Sequence, residues 1–238
     1  MKFPSTALTA RITEIFSSLQ GEGPYAGTKH IFVRFEECHM HCSFCDEIHK
    51  VGKDWSLDDT LNEILRLEQA YGPHQHVSLT GGEPLLYLPF IQPLIQALRE
   101  KGLKIYLETS GVLWKALDEV LENCDVIAMD LKPASVTHEK NYLEDHRQFL
   151  TTSKNKNVFL KMVVSKEISV DEYDTHVQMV AETASQVSLY LQPITTPQGE
   201  GHEDAELMKL ISDLQKRGQQ WLSDIRIGVR LHRILNIR

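Results

Sequence analysis

Cys38-His39-Met40-His41-Cys42-Ser43-Phe44-Cys45 places three cysteines in one short stretch, spaced C-x3-C-x2-C. Cys124, the fourth cysteine, is far away in sequence. Three thiolates this close can grip one face of a metal cluster. A cubane 4Fe-4S cluster takes four ligands, so three cysteines leave one iron open. An open coordination position can bind and activate a small molecule, as it does in catalytic zinc sites. His39 and His41 also allow a Cys3His zinc site. A structural iron–sulfur site and a chance gathering of cytosolic cysteines are open on the same residues.

The stretch follows an apolar strand pattern at Ile31–Phe35, and further strand and helix patterns alternate after it. That alternation predicts parallel β/α units. The expected strands are Ile12–Ser18, Ile31–Phe35, Val77–Thr80, Lys104–Leu107, Val126–Leu131, Val158–Val164, Val187–Gln192 and Ile225–Val229. The expected helices are Ser56-capped to Tyr71, Pro89–Lys101, Trp114–Leu121, His138–Leu150, Val170–Ala184 and Glu203–Arg217. Asp59 stands in capping-box position to Ser56, and Leu57, Leu61, Ile64 and Leu65 form one apolar stripe. About six inner strands are counted, fewer than a full eight-unit barrel.

The unusual residues fall at strand ends. The cysteine loop follows 31–35, Thr80-Gly81-Gly82-Glu83-Pro84 follows 77–80, and Glu108-Thr109-Ser110-Gly111 follows 104–107. Asp130-Leu131-Lys132-Pro133 closes 126–131, and Gln192-Pro193 closes 187–192. Carboxyl ends of parallel strands line the rim where ligands bind, so these five motifs are expected to converge. Each also has a plain reading. Gly81-Gly82-Glu83-Pro84 can be a strand-to-helix turn. Glu108 can be a solvated rim carboxylate, Asp130 and Lys132 a cap and a surface lysine, and Phe44 a core aromatic. Gln20-Gly21-Glu22-Gly23 can be a hairpin-like turn, with Arg34 an edge-strand cation.

The chain has 238 residues, 25 Lys and Arg against 33 Asp and Glu, and a formal charge of −8. This balance argues against a general nucleic-acid or anionic-membrane binder. No apolar run is long enough to span a bilayer, and Met1 to Ala10 lack an apolar signal core. Four cysteines, three of them bunched, do not make a secreted disulfide framework. Cytoplasmic residence and a single domain over 1–238 are expected.

The cysteine spacing, with Gly81-Gly82-Glu83-Pro84 and Glu108-Thr109-Ser110-Gly111, resembles the radical S-adenosylmethionine (SAM) superfamily. Glu14-Ile15-Phe16-Ser17-Ser18-Leu19-Gln20-Gly21-Glu22-Gly23, Phe32-Val33-Arg34-Phe35 and the cysteine loop together resemble the 7-carboxy-7-deazaguanine synthase family. The likeness runs from about Glu14 to Gln192, with a weaker echo at Leu231-His232-Arg233. It implies an α/β fold, a partial TIM-like barrel. It also implies a lyase reaction in which reduced cluster and SAM generate a deoxyadenosyl radical. The radical takes hydrogen from C6 of 6-carboxy-5,6,7,8-tetrahydropterin; the ring contracts, ammonia leaves, and SAM is regenerated. The product belongs to the route to queuosine and other deazapurines.

By the same resemblance, Cys38, Cys42 and Cys45 hold the 4Fe-4S cluster. Phe44, Cys45, Asp46, Gly82, Glu83, Glu108, Ser110, Asp130, Leu131, Lys132, Gln192, Pro193, Ile194 and Thr195 serve SAM. Leu19, Gln20, Gly21, Glu22, Arg34, Thr80, His232 and Arg238 face the pterin. A planar guanidinium suits its carboxylate. Partners implied are the pterin, an electron donor such as flavodoxin or ferredoxin, and a second copy in a homodimer.

Three positions depart from the family pattern. His39 replaces an Asn, Arg230 replaces a Gln, and Glu47 stands where a hydroxyl residue ligates Mg²⁺. Glu47 can ligate Mg²⁺ as a hard oxygen donor, or replace it. Two rival functions share the cysteine loop. One is an activase that installs a glycyl radical on a protein partner. The other is a non-enzymatic zinc or iron–sulfur interaction module.

Overall fold

The computed structural model describes residues 8–45, 47, 49–196 and 199–237. Asp46 and Arg238, both expected in the site, lie outside the described residues. Eleven strands occur among the described residues: β1 (Thr9–Leu19), β2 (Lys29–Phe35), β3 (Lys53–Ser56), β4 (His76–Gly81), β5 (Ile105–Thr109), β6 (Val126–Leu131), β7 (Val158–Val164), β8 (Leu189–Pro193), β9 (Thr195–Thr196), β10 (Gly199–Glu200) and β11 (Ile225–Ile227). The helices are α1 (Leu57–Tyr71), α2 (Leu88–Glu100), α3 (Trp114–Asp118), α4 (Ala134–Thr137), α5 (Leu143–Ser153), α6 (Val170–Ala184), α7 (Ala205–Gly218) and α8 (Leu231–Ile234).

Nine strands form one open sheet in the order β11-β8-β7-β6-β5-β4-β2-β1-β3. The run from β2 to β11 is parallel throughout. β1 and β3 add antiparallel at one end. The result is an α/β partial barrel with seven parallel strands, one more than the pattern count. The additional member is β11, expected as a final strand at Ile225–Val229 but not counted with the inner ones; it is shorter, Ile225–Ile227, and pairs parallel with β8.

Side chains alternate across each strand, and this sorts core from cavity. Ile31, Val33 and Phe35, Leu79, Leu107, Met129, Leu160, Met162 and Leu191 face the helices in one continuous buried core. The opposite face carries Tyr106, Ala128, Phe159 and Tyr190 at its floor. Burial of the helix-facing layer, worth roughly 25 cal/mol per Å² of apolar area, leaves the other face free to carry polar side chains.

Local signals explain most elements. Ser56 Oγ accepts from Asp59 N at 3.1 Å and caps α1. The buried stripe of that helix is Thr60, Ile64 and Leu67, so the expected stripe is rotated: Leu57, Leu61 and Leu65 are only half-buried. The expected helix His138–Leu150 starts five residues later than expected, and a separate short helix, α4, precedes it. His138 takes a left-handed φ of 59° that ends α4, and α5 starts only at Leu143. β3 was not expected; it is a four-residue edge strand pairing with β1. Strand β5 runs on through Glu108 and Thr109, which sequence places in the following loop.

Candidate functional site

At the carboxyl ends of the parallel strands lies a cavity of about 450 Å³. All five strand-end motifs reach it. It is lined by Cys38, Cys42, Phe44 and Cys45, by Thr80, Gly81 and Gly82, by Glu108, Thr109 and Ser110, by Asp130 and Lys132, and by Gln192, Pro193 and Thr195. Leu19, Gln20, Gly21, Glu22, Arg34, Glu47 and His232 line the same space. Of the expected site residues that are described, Glu83, Leu131 and Ile194 stand back from the cavity wall. Leu131 points into the helix-side core, and Ile194 packs against that core.

The cysteine loop is fastened from α4 and the segment after it. Ser43 N donates to Thr137 O at 3.2 Å, and His41 N to Glu139 Oε1 at 2.5 Å. Met40 is buried with Val112 and Tyr142, against which Cys38 and Cys42 pack. Burial pushes the Cys38 thiol up to about 11 and raises Cys42 in the same sense. Such thiols ionise when a metal replaces the proton. Among the described residues no three His, Cys, Asp or Glu side chains gather closely enough for a single ion. A cubane offers each thiolate a separate corner iron, so three spaced cysteines facing one cavity fit it. Cys124 is buried and its thiol is pushed up to about 12.

Glycine at 81 and 82 answers a close approach of the chain to itself. Gly81 has φ +110°, and a Cβ there would lie 2.3 Å from Phe35 O; at Gly82 it would lie 2.1 Å from Glu37 O. Gly82 N donates to Phe35 O at 2.8 Å and Glu83 N to Glu37 O at 2.7 Å. The missing Cβ atoms let this loop press on the backbone leading into the cysteines. Glu83 is fully buried. It accepts from Thr109 Oγ1, Ser110 N and Ser110 Oγ, the last at 2.6 Å. This ties the end of β4 to the end of β5.

Glu108 is a bracing acceptor rather than a solvated carboxylate. Gln20 Nε2 donates to its Oε1 at 2.8 Å and Thr80 Oγ1 to its Oε2 at 3.0 Å. Gln20 Oε1 accepts from Gly21 N and Glu22 N. Gly21 has no room for a Cβ, because His232 Nδ1 would lie 1.8 Å from it. Leu231 N donates to Gly21 O at 2.8 Å, which brings the C-terminal segment over this loop.

Arg34 lies between two carboxylates, with Nε 2.9 Å from Glu14 and Nη1 2.6 Å from Glu47. Lys50 Nζ lies 3.0 Å from each of the same carboxylate oxygens. Phe16 and Phe32 stack at 5.1 Å, and the Arg34 guanidinium sits 5.7 Å from the Phe16 ring. Asp130 pairs with Lys132 at 2.8 Å and with Lys161 at 3.3 Å, and against the cost of burial these two cations hold its carboxyl below the ordinary range.

Sequence reading missed Lys161, Val163, Glu14 and Lys50, all of which line the cavity. Lys161 had a visible signal. It is a lone charge in the apolar strand Val158–Val164, and buried lysines are rare unless paired.

The Radical SAM superfamily model matches residues 32–184. A 7-carboxy-7-deazaguanine synthase from Geobacter sulfurreducens is 32% identical, covering 95% of this chain and 97% of its own length. One from Methanocaldococcus jannaschii is 28% identical over 95% and 99%. Among solved structures, QueE from Escherichia coli aligns with a TM-score of 0.62 at 22% identity, over 94% of this chain and 95% of that one. A TYW1 structure carrying a lysine–pyruvate adduct aligns at 0.59 and 19% identity, over 82% and 74%. These structural likenesses carry the fold.

Proposed function

We propose that this chain, which belongs to the radical SAM superfamily and within it to the 7-carboxy-7-deazaguanine synthase family, converts 6-carboxy-5,6,7,8-tetrahydropterin into 7-carboxy-7-deazaguanine with loss of ammonia. The supporting observation is that three cysteines and the strand-end motifs share one cavity with Gln20, Glu22 and Arg34. A protein-activating enzyme has no use for that polar group beside its cluster loop, whereas a small polar acid does.

A 4Fe-4S cluster and SAM, when bound, supply the hydrogen-abstracting radical. Cys38, Cys42 and Cys45 would hold the cluster. Phe44, Cys45 and Asp46, the Gly82 backbone, Ser110, Asp130 to Lys132 and Gln192 to Thr195 would hold SAM, and Glu83 and Glu108 brace that wall. Leu19 to Glu22, Thr80, His232 and Arg238 would face the pterin. Its ring would lie by the Phe16–Phe32 pair, and its carboxylate would take donors from Arg34. A guanidinium has five N–H donors, so pairing with Glu14 and Glu47 leaves donors for a third carboxylate.

Magnesium fits at one atom. Glu47 Oε1 already receives Arg34 and Lys50, but its Oε2 is buried without a hydrogen-bond partner. Mg²⁺ takes one or two carboxylates and completes its shell with substrate and water. Glu47 Oε2 would be the protein's ligand in the substrate complex. Calorimetric titration of the pterin complex with Mg²⁺ should show uptake that Glu47→Gln abolishes; no uptake by the unaltered protein removes the metal from the scheme.

The whole of residues 1–238 is proposed to act as one domain, in the cytoplasm and as a homodimer, reduced by a flavodoxin or ferredoxin. Anaerobic incubation of the reconstituted, reduced protein with the pterin should yield the deazaguanine acid by mass. A preparation holding four irons that leaves SAM's carbon–sulfur bond intact with the pterin present would refute the assignment.

A further inference from the structure

Lys161 is 8% exposed in a strand of otherwise apolar residues. Strand register sets it beside Asp130 on β6 and Tyr190 on β8. Its Nζ lies 2.6 Å from Glu22 Oε2 and 3.3 Å from Asp130 Oδ1. Contacts of alternating charge continue on both sides. Lys132 Nζ donates to Asp130 Oδ2 at 2.8 Å and stands 5.9 Å from the Phe44 ring. On the other side, Gln192 Nε2 donates to Glu22 Oε1 at 3.1 Å, and Arg230 Nε lies 3.3 Å from that oxygen. A row of charges thus crosses the cavity from the C-terminal segment to the cysteine loop, and Lys161 bridges its two carboxylates.

We propose that Lys161 is a positioning residue: its ammonium locks Glu22 as an ionised acceptor for the N–H edge of the pterin ring and ties that substrate loop to the cofactor side through Asp130. This rests on the pterin being the substrate.

The physical reason is desolvation. Burial drives a carboxylate towards its protonated form unless cations or hydrogen-bond donors hold the charge. Burial raises the Glu22 pKa and so does Asp130; Lys161 and Arg230 outweigh them and lower it. Lys161 is itself faced by Asp130, Glu22, Glu108 and Tyr106, which keep it protonated. Without its ammonium, Glu22 retains Arg230 alone against burial and Asp130. Asp130 would still have Lys132. The loss therefore falls on the substrate side.

The test is pterin binding to the SAM-loaded protein with its cluster oxidised, so that no turnover occurs, by anaerobic calorimetry from pH 6 to 8.5. Lys161→Met should weaken pterin binding about tenfold at pH 8.5, and the ratio to wild type should widen below that, approaching tenfold per pH unit once Glu22 titrates. Lys161→Arg should restore the wild-type pH profile. Glu22→Gln combined with Lys161→Met should bind weakly with no widening. SAM affinity of Lys161→Met should stay within about threefold, a difference under ~0.7 kcal/mol. If Lys161→Met does not fold, Lys161→Gln carries the same expectations. A Met-to-wild-type ratio constant across pH, or SAM affinity falling as far as pterin affinity, overturns the proposal. If wild type loaded with cluster and SAM does not bind the pterin, the substrate reading fails first; if it binds and Lys161→Met matches it, the inference alone fails.

Discussion

Replacing Glu83 with glutamine changes one atom of a fully buried side chain and should destabilise the protein out of proportion to that change. The two carboxylate oxygens accept from different backbone groups. Oε1 takes Leu85 N at 3.1 Å, and Oε2 takes Ser110 N at 2.8 Å. Thr109 Oγ1 and Ser110 Oγ add hydroxyl donors, and no ion pair to Glu83 is found among the described residues. A hydroxyl can rotate away, but a backbone N–H cannot. Whichever oxygen becomes the amide nitrogen, one backbone donor is left facing another donor. A buried donor left unsatisfied costs roughly 1–3 kcal/mol, and charge-assisted bonds weakened to neutral ones add about 1 kcal/mol. The total is ~2–4 kcal/mol against a native stability of about 5–15 kcal/mol. With a urea m-value near 3 kcal/mol/M, the midpoint should fall by about 1 M. The assay is urea unfolding of the reduced apoprotein, followed by circular dichroism under anaerobic conditions. A Glu83→Gln midpoint corresponding to less than about 0.5 kcal/mol of loss, the range of an ordinary surface substitution, would refute the bracing role.

Other outcomes follow from the same geometry. Alanine at Cys38, Cys42 or Cys45 should each abolish the brown 4Fe-4S absorbance and four-iron content. Cys124→Ala should retain both, since Cys124 packs in the helix-side core. Burial, with the neighbouring His176, holds the His146 imidazole neutral, lowering its pKa from 6.5 to about 3. The unfolded chain then binds a proton below pH 6.5 that the folded chain refuses until about 3. Stability is thus full above 6.5 and falls as pH drops, by about 1 kcal/mol at pH 6 and about 2 at pH 5 for this group. His146→Leu should flatten that part of the urea-midpoint profile while His30, also lowered to about 3, keeps its share; an unchanged slope between pH 5 and 6.5 counts against the neutral histidine.

What sequence reveals here follows from how locally each feature is encoded. The parallel strands were legible because runs such as Val126–Leu131 and Val158–Val164 are buried on the helix side and bounded by glycine, proline or charge. The convergence of the motifs was legible because parallel order sends every strand end to one rim. Side-chain direction was not. Glu108 reads as a rim carboxylate until Gln20 and Thr80, 88 and 28 residues away, are seen donating to it. The glycines at 81 and 82 line the cavity, yet what excludes a Cβ at each is backbone at Phe35 and Glu37, which sequence does not reveal. The late start of α5 was hidden because the non-helical stretch 138–142 after the left-handed His138 carries no glycine or proline to mark it.

Charge explains why the cavity can take an acid although the chain is acidic. Among the described lining residues, Glu14, Glu22, Glu47, Glu108 and Asp130 are balanced by Arg34, Lys50, Lys132, Lys161, Arg230 and Arg233. Six cations against five carboxylates give a lining of +1 in a chain of −8. The excess negative charge of the chain's side chains therefore lies outside this lining, whose carboxylates are matched by cations and do not by themselves repel an anionic substrate. Each carboxylate of the charge row is held by a neighbouring cation, as Glu22 is by Lys161 and Asp130 by Lys132. The site can then receive a carboxylated ring without first collapsing around its own charges. This is the preorganisation that a reaction with a short-lived radical requires, because donors already fixed in place need no rearrangement while the radical exists.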